Sequence, residues 1–283
     1  MTPRVPLSTT PFLALFVPAN RPERLARAAT SGADAVIVDL EDAVAEAEKA
    51  DARAALVSVL SQTRFEVPIL VRINGAATPH WQADMEALAG LAIDGIMLAK
   101  SESVADLGST RSQAGTTAII ALIESAIGLA NARDLARAAD RLAFGSLDFA
   151  GDLGLAHQPD ALLTARSELV LASRLAGIPA PIDGVTTAVR DSDAVRGDAQ
   201  YAASLGFAGK LLIHPAQVGP ALRGFSPDAS SVDHARRMLA ACGENAGQFE
   251  GRMVDAPVLA AAKARVAAAD RISARIAELE GSK

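Results

Sequence analysis

Eight short apolar runs recur along the chain, and a segment rich in Ala, Arg and Leu follows nearly every one. The runs are LALFVPANR, AVIVDLED, PILVRIN, GIMLAKSE, AIIALIES, LAFGSLDF, APIDGVTT and GKLLIHP. Each is near-continuously apolar, as strands buried on both faces are. Strand then helix, eight times over, predicts an α/β fold, a (β/α)8 TIM barrel, whose working end is the C-terminal end of its strands. Polar residues gather at those ends: Asn20 and Arg21; Asp39, Glu41 and Asp42; Arg72 and Asn74; Lys100 and Glu102; Glu124; Asp148; Asp183; His214. That confinement predicts an enzyme.

Composition narrows the class. The 283 residues, 50% of them hydrophobic, suit one barrel with a large core. A net charge of −6 argues against nucleic-acid binding, which leaves a basic footprint. The single cysteine, Cys242, rules out an intramolecular disulfide framework and fits a reducing compartment. No run reaches the ~18 consecutive apolar residues of a membrane span, and the N-terminal run, broken by Pro18, is short for a signal peptide. The expected location is cytoplasmic.

Helical spacing covers residues 43–60, 126–139, 161–176 and 191–205, with Pro22 opening the first helix and Gly206 stopping the one that ends at Leu205. Glu46, Glu48, Lys49 and Arg53 read as solvent-facing charges. The barrel is predicted over residues 1–225. Residues 226–283 read as a helical lid or oligomerisation extension: a helix over 230–241, a glycine-containing loop that carries Asp255, and an Ala-rich helix over 257–280.

Glu124 and Asp148 end consecutive runs, so in a parallel barrel they point into one mouth. Two carboxylates so placed suit Mg2+, which keeps several waters and takes only one or two protein carboxylates. Singly, each would read as the cap of the next helix. Arg72 offers a planar fork to a carboxylate or a developing oxyanion, or an ion pair to Asp39 or Glu41. Strand alternation sends Asp39 and Glu41 to one side and Asp42 to the other. His214 reads as a hydrogen-bonded structural residue. No HExxH, CxxC, GxSxG or Walker A pattern occurs.

Together FVPANRPE, DAVIVDLEDAV, VRING, DGIMLAKSES, ALIESAIGLANA, AFGSLDFAGDLG, IDGVTTAVRD, GFAGKLLIHPAQV and GRMVDAP resemble the citrate lyase β-subunit-like branch of the HpcH/HpaI aldolase superfamily, which includes malyl-CoA and citramalyl-CoA lyases. The resemblance implies Mg2+, with Mn2+ as a substitute, and reversible carbon–carbon cleavage of a CoA thioester into an acyl-CoA and a 2-oxo acid. It implies a homo-oligomer, a trimer or dimer of trimers. Residue by residue, Glu124 and Asp148 match the metal ligands and Arg72 the catalytic arginine. Asp255 matches an acid supplied by the neighbouring subunit. Asn20, Arg21 and Arg24 fall where CoA phosphates are held. Apart from the resemblance, part of the run Asp39, Glu41 and Asp42 is expected to orient Arg72 or waters on the metal and part to cap the next helix, with Lys100 as a further supporting residue. Ala19, Ala99 and Leu147 depart from the usual Gly, Pro and Glu, and alternation would turn Leu147 away from the metal. The sister class II aldolases, which act on free 2-oxo acids, carry a His where this chain has Glu41 and Asp42. A malyl-CoA thioesterase, a non-catalytic CoA-ester binder and a citrate lyase subunit acting on an acyl carrier protein remain as alternatives.

Overall fold

A computed structural model describes residues 9–243 and 247–281. Seven parallel strands form one sheet: β1 (Phe12–Pro18), β2 (Ala35–Asp39), β3 (Ile69–Ile73), β4 (Gly95–Leu98), β5 (Ala118–Ile123), β6 (Arg141–Phe144) and β7 (Gly209–Leu212). Their order is β6-β5-β4-β3-β2-β1-β7. Helices separate the strands: α1 (Leu25–Ala29), α2 (Lys49–Gln62), α3 (His80–Leu88), α4 (Val104–Ala114), α5 (Ala126–Ala130) and α6 (Ala132–Ala138). Between β6 and β7 come α7 (Ser146–Leu153), α8 (Leu163–Ala176) and α9 (Ser192–Leu205). Beyond β7 follow α10 (Val218–Gly224), α11 (Ala229–Cys242), the hairpin β8–β9 (Gly247–Phe249, Arg252–Val254) and α12 (Ala256–Gly281).

Side-chain alternation divides the core into two layers. Phe12, Ala14, Ile37, Leu70, Met97, Ile120, Leu122, Ala143, Ile182 and Leu211 form one buried cluster, whereas Leu13, Leu15, Val36, Val38, Val71, Ile119 and Leu142 pack with helix residues in another. The first cluster joins residues from both edge strands, β6 and β7, so the sheet curls around it. At the N-terminal end Arg141 lies over the Phe12 ring and donates to the carbonyls of Ala180 and Ala208.

The run APIDGVTT does not form an eighth extended strand. Only Ile182 and Asp183 pair, in single parallel bridges to Ala143 of β6 and Lys210 of β7. Pro179 and Pro181 remove two ladder donors, which limits pairing to this short piece. It nonetheless spans the two edges: the Ile182 N–H donates to Leu142 and the Asp183 N–H to Gly209. The helix expected from residue 43 starts at Lys49, after a 3-10 turn over Glu46–Glu48. The helix expected over 126–139 breaks at Asn131.

The final helix spans 26 residues, about 39 Å at 1.5 Å per residue. It packs on α11 and α10, buries Ile272, and ties back to the segments that lead into β1 and β2. Arg275 pairs with Asp34 at 2.9 Å and donates to the Pro11 carbonyl. Among the described residues no helix is long and apolar enough to cross a membrane.

Candidate active site

The inward series of four strands runs on into an aromatic or charged residue at the C-terminal end. Above Ala14 stands Phe16, above Ile37 stands Asp39, above Leu70 stands Arg72, and above Leu122 stands Glu124. Asp39 and Arg72 are direct partners across the β2–β3 ladder. Cross-strand neighbours share a face at contact distance, and the acid grips the guanidinium with both oxygens: Nε to Oδ1 at 2.7 Å and Nη2 to Oδ2 at 2.6 Å. Nη1 lies 3.1 Å from Glu41 Oε2, and the guanidinium carbon sits 4.9 Å from the Phe16 ring centroid. Burial works against the charge of Arg72, but the bonds and charges of Asp39 and Glu41 outweigh it and raise its pKa. Two of its five N–H bonds go to Asp39, and Nη1 stands in ion-pair contact with Glu41.

The alternation argument fails for Asp42. β2 ends at Asp39, so strand alternation no longer sets the direction of the residues that follow. Asp42 comes within 3.8 Å of Arg72 and 3.7 Å of Lys100, on the same side as Glu41. Asp39 also accepts from the N–H groups of Glu41 and Ala43, which fixes the turn. Lys49, read from the sequence as a surface charge, is buried. Its ammonium donates to the carbonyls of Leu40 and Glu41 and to Asn74 Oδ1. No spacing signal marked it, because one helix N-terminal lysine resembles another.

Glu124 is buried at 3% exposure. Oε1 accepts from the Lys100 main-chain N–H at 2.6 Å, whereas Oε2 has no hydrogen-bond partner among the described residues. Burial, reinforced by the Glu41 carboxylate and opposed by the Lys100 N–H and Arg72, pushes its pKa up to about 8. A buried, orphaned carboxylate oxygen is costly unless something pairs with it. Gly145 gives it room: a Cβ there would lie 2.4 Å from Oε2.

Asp148 does not end a strand. β6 stops at Phe144, and Asp148 lies in the first turn of α7, where it is exposed to the mouth. Leu147 sits on the same helical turn, so strand alternation does not turn it away. It is 41% exposed and lines the mouth beside Asp148. Arg72, Asp39, Asp42, Glu124, Leu147 and Asp148 border one hollow of about 810 Å3. Leu122, Phe144, Val185 and Leu211 give it an apolar wall, and Arg24, Arg27 and His214 also line it. Among the described residues no group of three or more His, Cys, Asp and Glu is placed to hold a metal.

The other sequence candidates divide. Arg24 lines the hollow, joined by Arg27 three residues on, which the sequence reading missed. Asn20 instead donates to Glu48 at 2.7 Å, and exposed Arg21 does not line the hollow. His214 accepts from the Ala216 N–H through Nδ1, the structural role expected of it. Asp183 faces the helices: it pairs with Arg166 of α8 at 2.9 Å and lies 3.6 Å from Lys210. Asp255 does not line the hollow of its own chain. It is exposed, follows β9, and accepts from the Val258 N–H at the start of α12.

A curled parallel α/β sheet with charged groups converging at the C-terminal ends of its strands is the layout of a barrel-type site. The chain belongs to the HpcH/HpaI aldolase/citrate lyase family, whose model matches residues 13–215. It is 35% identical to the citrate lyase subunit beta of Leuconostoc mesenteroides subsp. cremoris, over 87% of this chain and 88% of that protein. It is 34% identical to a (3S)-malyl-CoA thioesterase of Cereibacter sphaeroides, over 92% and 95%. Its structure resembles that of protein CitE from Mycobacterium tuberculosis in complex with magnesium, acetoacetate and coenzyme A. The TM-score is 0.81 at 35% identity, with 93% of this chain and all of that one covered. A citrate lyase beta subunit from the same organism, complexed with oxaloacetate and magnesium, gives 0.67 at 34% identity, over 78% and 99%.

Proposed function

We propose that this protein is a Mg2+-dependent carbon–carbon lyase. It cleaves, or forms, a malyl-CoA- or citramalyl-CoA-like thioester, giving an acyl-CoA and a 2-oxo acid. The observation that carries the reading is the buried Glu124 with its orphaned Oε2, on the same hollow as Asp148 and a clamped Arg72. The donors fit a hard divalent cation: one buried carboxylate oxygen without a partner, a second carboxylate beside it, and a glycine that leaves the space open. Glu124 and Asp148 would hold the ion. When bound, it would supply Lewis-acid polarisation and orientation of the 2-oxo-acid oxygens.

The chain's own residues do the rest. Arg72 offers N–H bonds not taken by Asp39 to the oxyanion that develops as the thioester takes up enolate charge. Asp39 and Glu41 hold the guanidinium in place beforehand, so no reorganisation is needed at reaction. The apolar wall of Leu122, Phe144, Val185 and Leu211 excludes water, which protects an enolate. Arg24 and Arg27 stand at the hollow as cations for CoA phosphates.

We read the short Ile182–Asp183 piece as the remaining strand that closes a (β/α)8 barrel over residues 1–225, with 226–283 as the extension. Asp255 then serves a neighbouring subunit in a homo-oligomer, exchanging the proton of the acyl methyl group. A second reading, hydrolysis of the thioester, is favoured by the (3S)-malyl-CoA thioesterase relative.

Metal withdrawal tests the proposal. EDTA should abolish turnover reversibly, and Asp148→Asn should do so with little change in thermal stability. Full turnover in EDTA would leave Glu124 as a buried partner of the Lys100 N–H and Asp148 as a first-turn acid of α7.

A further inference from the structure

Lys100 holds a backbone conformation that side chains rarely adopt. Its φ is +47°, and it is one of two described non-glycine residues with positive φ. Strain of this kind persists where surrounding structure enforces it and concentrates at functional sites. The strained turn aims the Lys100 main-chain N–H at Glu124 Oε1, 2.6 Å away. Gly75 makes the turn possible, since a Cβ there would crowd Ala99 O and Lys100 Cβ at 3.3 Å.

The side chain of the same residue reaches the other half of the site. Its ammonium bonds Glu41 Oε1 at 2.5 Å and lies 3.7 Å from Asp42. Glu41 uses its second oxygen on Arg72. A continuous path therefore runs from Glu124 through Lys100 and Glu41 to Arg72 and Asp39. Its charge balance depends on Lys100. Asp39, Glu41 and Asp42 place three carboxylates around one guanidinium. With the ammonium, three negative charges face two positive ones; without it, three face one.

We propose that Lys100 is a positioning residue that couples the two halves of the site: its main-chain N–H orients Glu124, and its ammonium balances the acids that hold Arg72. This rests on the lyase reading only for what Arg72 and Glu124 act upon. Lys100 keeps Oε1 of Glu124 engaged so that Oε2 faces the hollow. It also keeps Arg72 from being over-neutralised, so that its remaining N–H bonds retain their pull on an oxyanion.

The test compares wild type with Lys100→Met, Glu41→Gln and the double variant. One readout is Mg2+ affinity by calorimetry, which needs no turnover; the other is kcat and KM with malyl-CoA or citramalyl-CoA. Lys100→Met should bind Mg2+ severalfold more tightly, because a cation beside the acids is gone, and Glu41→Gln in that background should return the affinity towards wild type. Lys100→Met should lower kcat about 10- to 100-fold, the size of a lost ionic hydrogen bond, with KM changed less. The double variant should be more active than Lys100→Met alone. A residue that merely supports the fold predicts the opposite: weaker Mg2+ binding, and losses that compound in the double variant. Either result overturns the proposal. If wild type cleaves neither thioester, the lyase reading fails, and the Mg2+ affinities still decide the role of Lys100.

Discussion

Gly145→Ala perturbs the candidate metal site without removing a ligand. The backbone tolerates the change, since Gly145 has a φ of −82°, which any residue adopts. Space does not. The new Cβ would stand 2.4 Å from Glu124 Oε2 and 2.5 Å from Glu124 Cβ. Non-bonded contacts settle near 3.5 Å, so the carboxylate must retreat by about 1 Å. Mg2+ demands near-ideal geometry at about 2.0–2.1 Å, and a displacement of that size removes Glu124 from the ion. The predicted loss of Mg2+ affinity is about 10- to 100-fold, the range found when the support of a ligand is disturbed. Overpacking should cost about 1–3 kcal/mol of stability, a shift of a few degrees in Tm. Calorimetric Mg2+ titration of the folded variant reads the first effect, and thermal unfolding the second. Wild-type Mg2+ affinity in a folded Gly145→Ala protein would show that Glu124 Oε2 is not the metal-facing atom.

Three further predictions follow from the same geometry. Arg72→Lys keeps the charge but loses the two-point grip of Asp39, so kcat should fall more than KM rises; a change confined to KM would make Arg72 a substrate anchor. Asp183→Asn removes the carboxylate between Arg166 and Lys210 and leaves two buried cations, at a cost of about 3–5 kcal/mol; urea denaturation within 1 kcal/mol of wild type would contradict that role (~1 kcal/mol being the spread of ordinary substitutions). Asp255→Ala and Arg72→Ala should each be nearly inactive, yet recover part of the activity when their subunits are exchanged. Exchange verified by mass without any return of activity would place Asp255 outside a shared site.

The residues legible in the sequence were those governed by strand alternation. Asp39 and Arg72 lie on the inward-facing series of their strands, Glu124 continues that of β5 one residue past its end, and the structure sets all three around one hollow. Legibility stopped where the chain turns away from the strand direction. Asp42, Leu147 and Asp148 lie past a strand end, and their directions are set by turns and by the first turn of α7. The seventh segment pairs only at Ile182 and Asp183, and on its N-terminal side Pro179 and Pro181 lack N–H donors for a longer ladder. Lys49 and Arg166 resemble ordinary helix-surface charges in one dimension. Only the fold shows that one braces the Glu41 turn and the other pairs with Asp183. Lys100 was visible as a polar strand-end residue, but neither its positive φ nor its two-sided contact has a sequence signature.

The most direct measurement of the central claim is the mass of the products formed from malyl-CoA and citramalyl-CoA. Each thioester is incubated with the protein and Mg2+, with a parallel sample in EDTA. Carbon–carbon cleavage predicts an acyl-CoA together with a 2-oxo acid, both absent from the EDTA sample. Free CoA with the intact hydroxy diacid, and no 2-oxo acid, would contradict the lyase account and establish hydrolysis in its place.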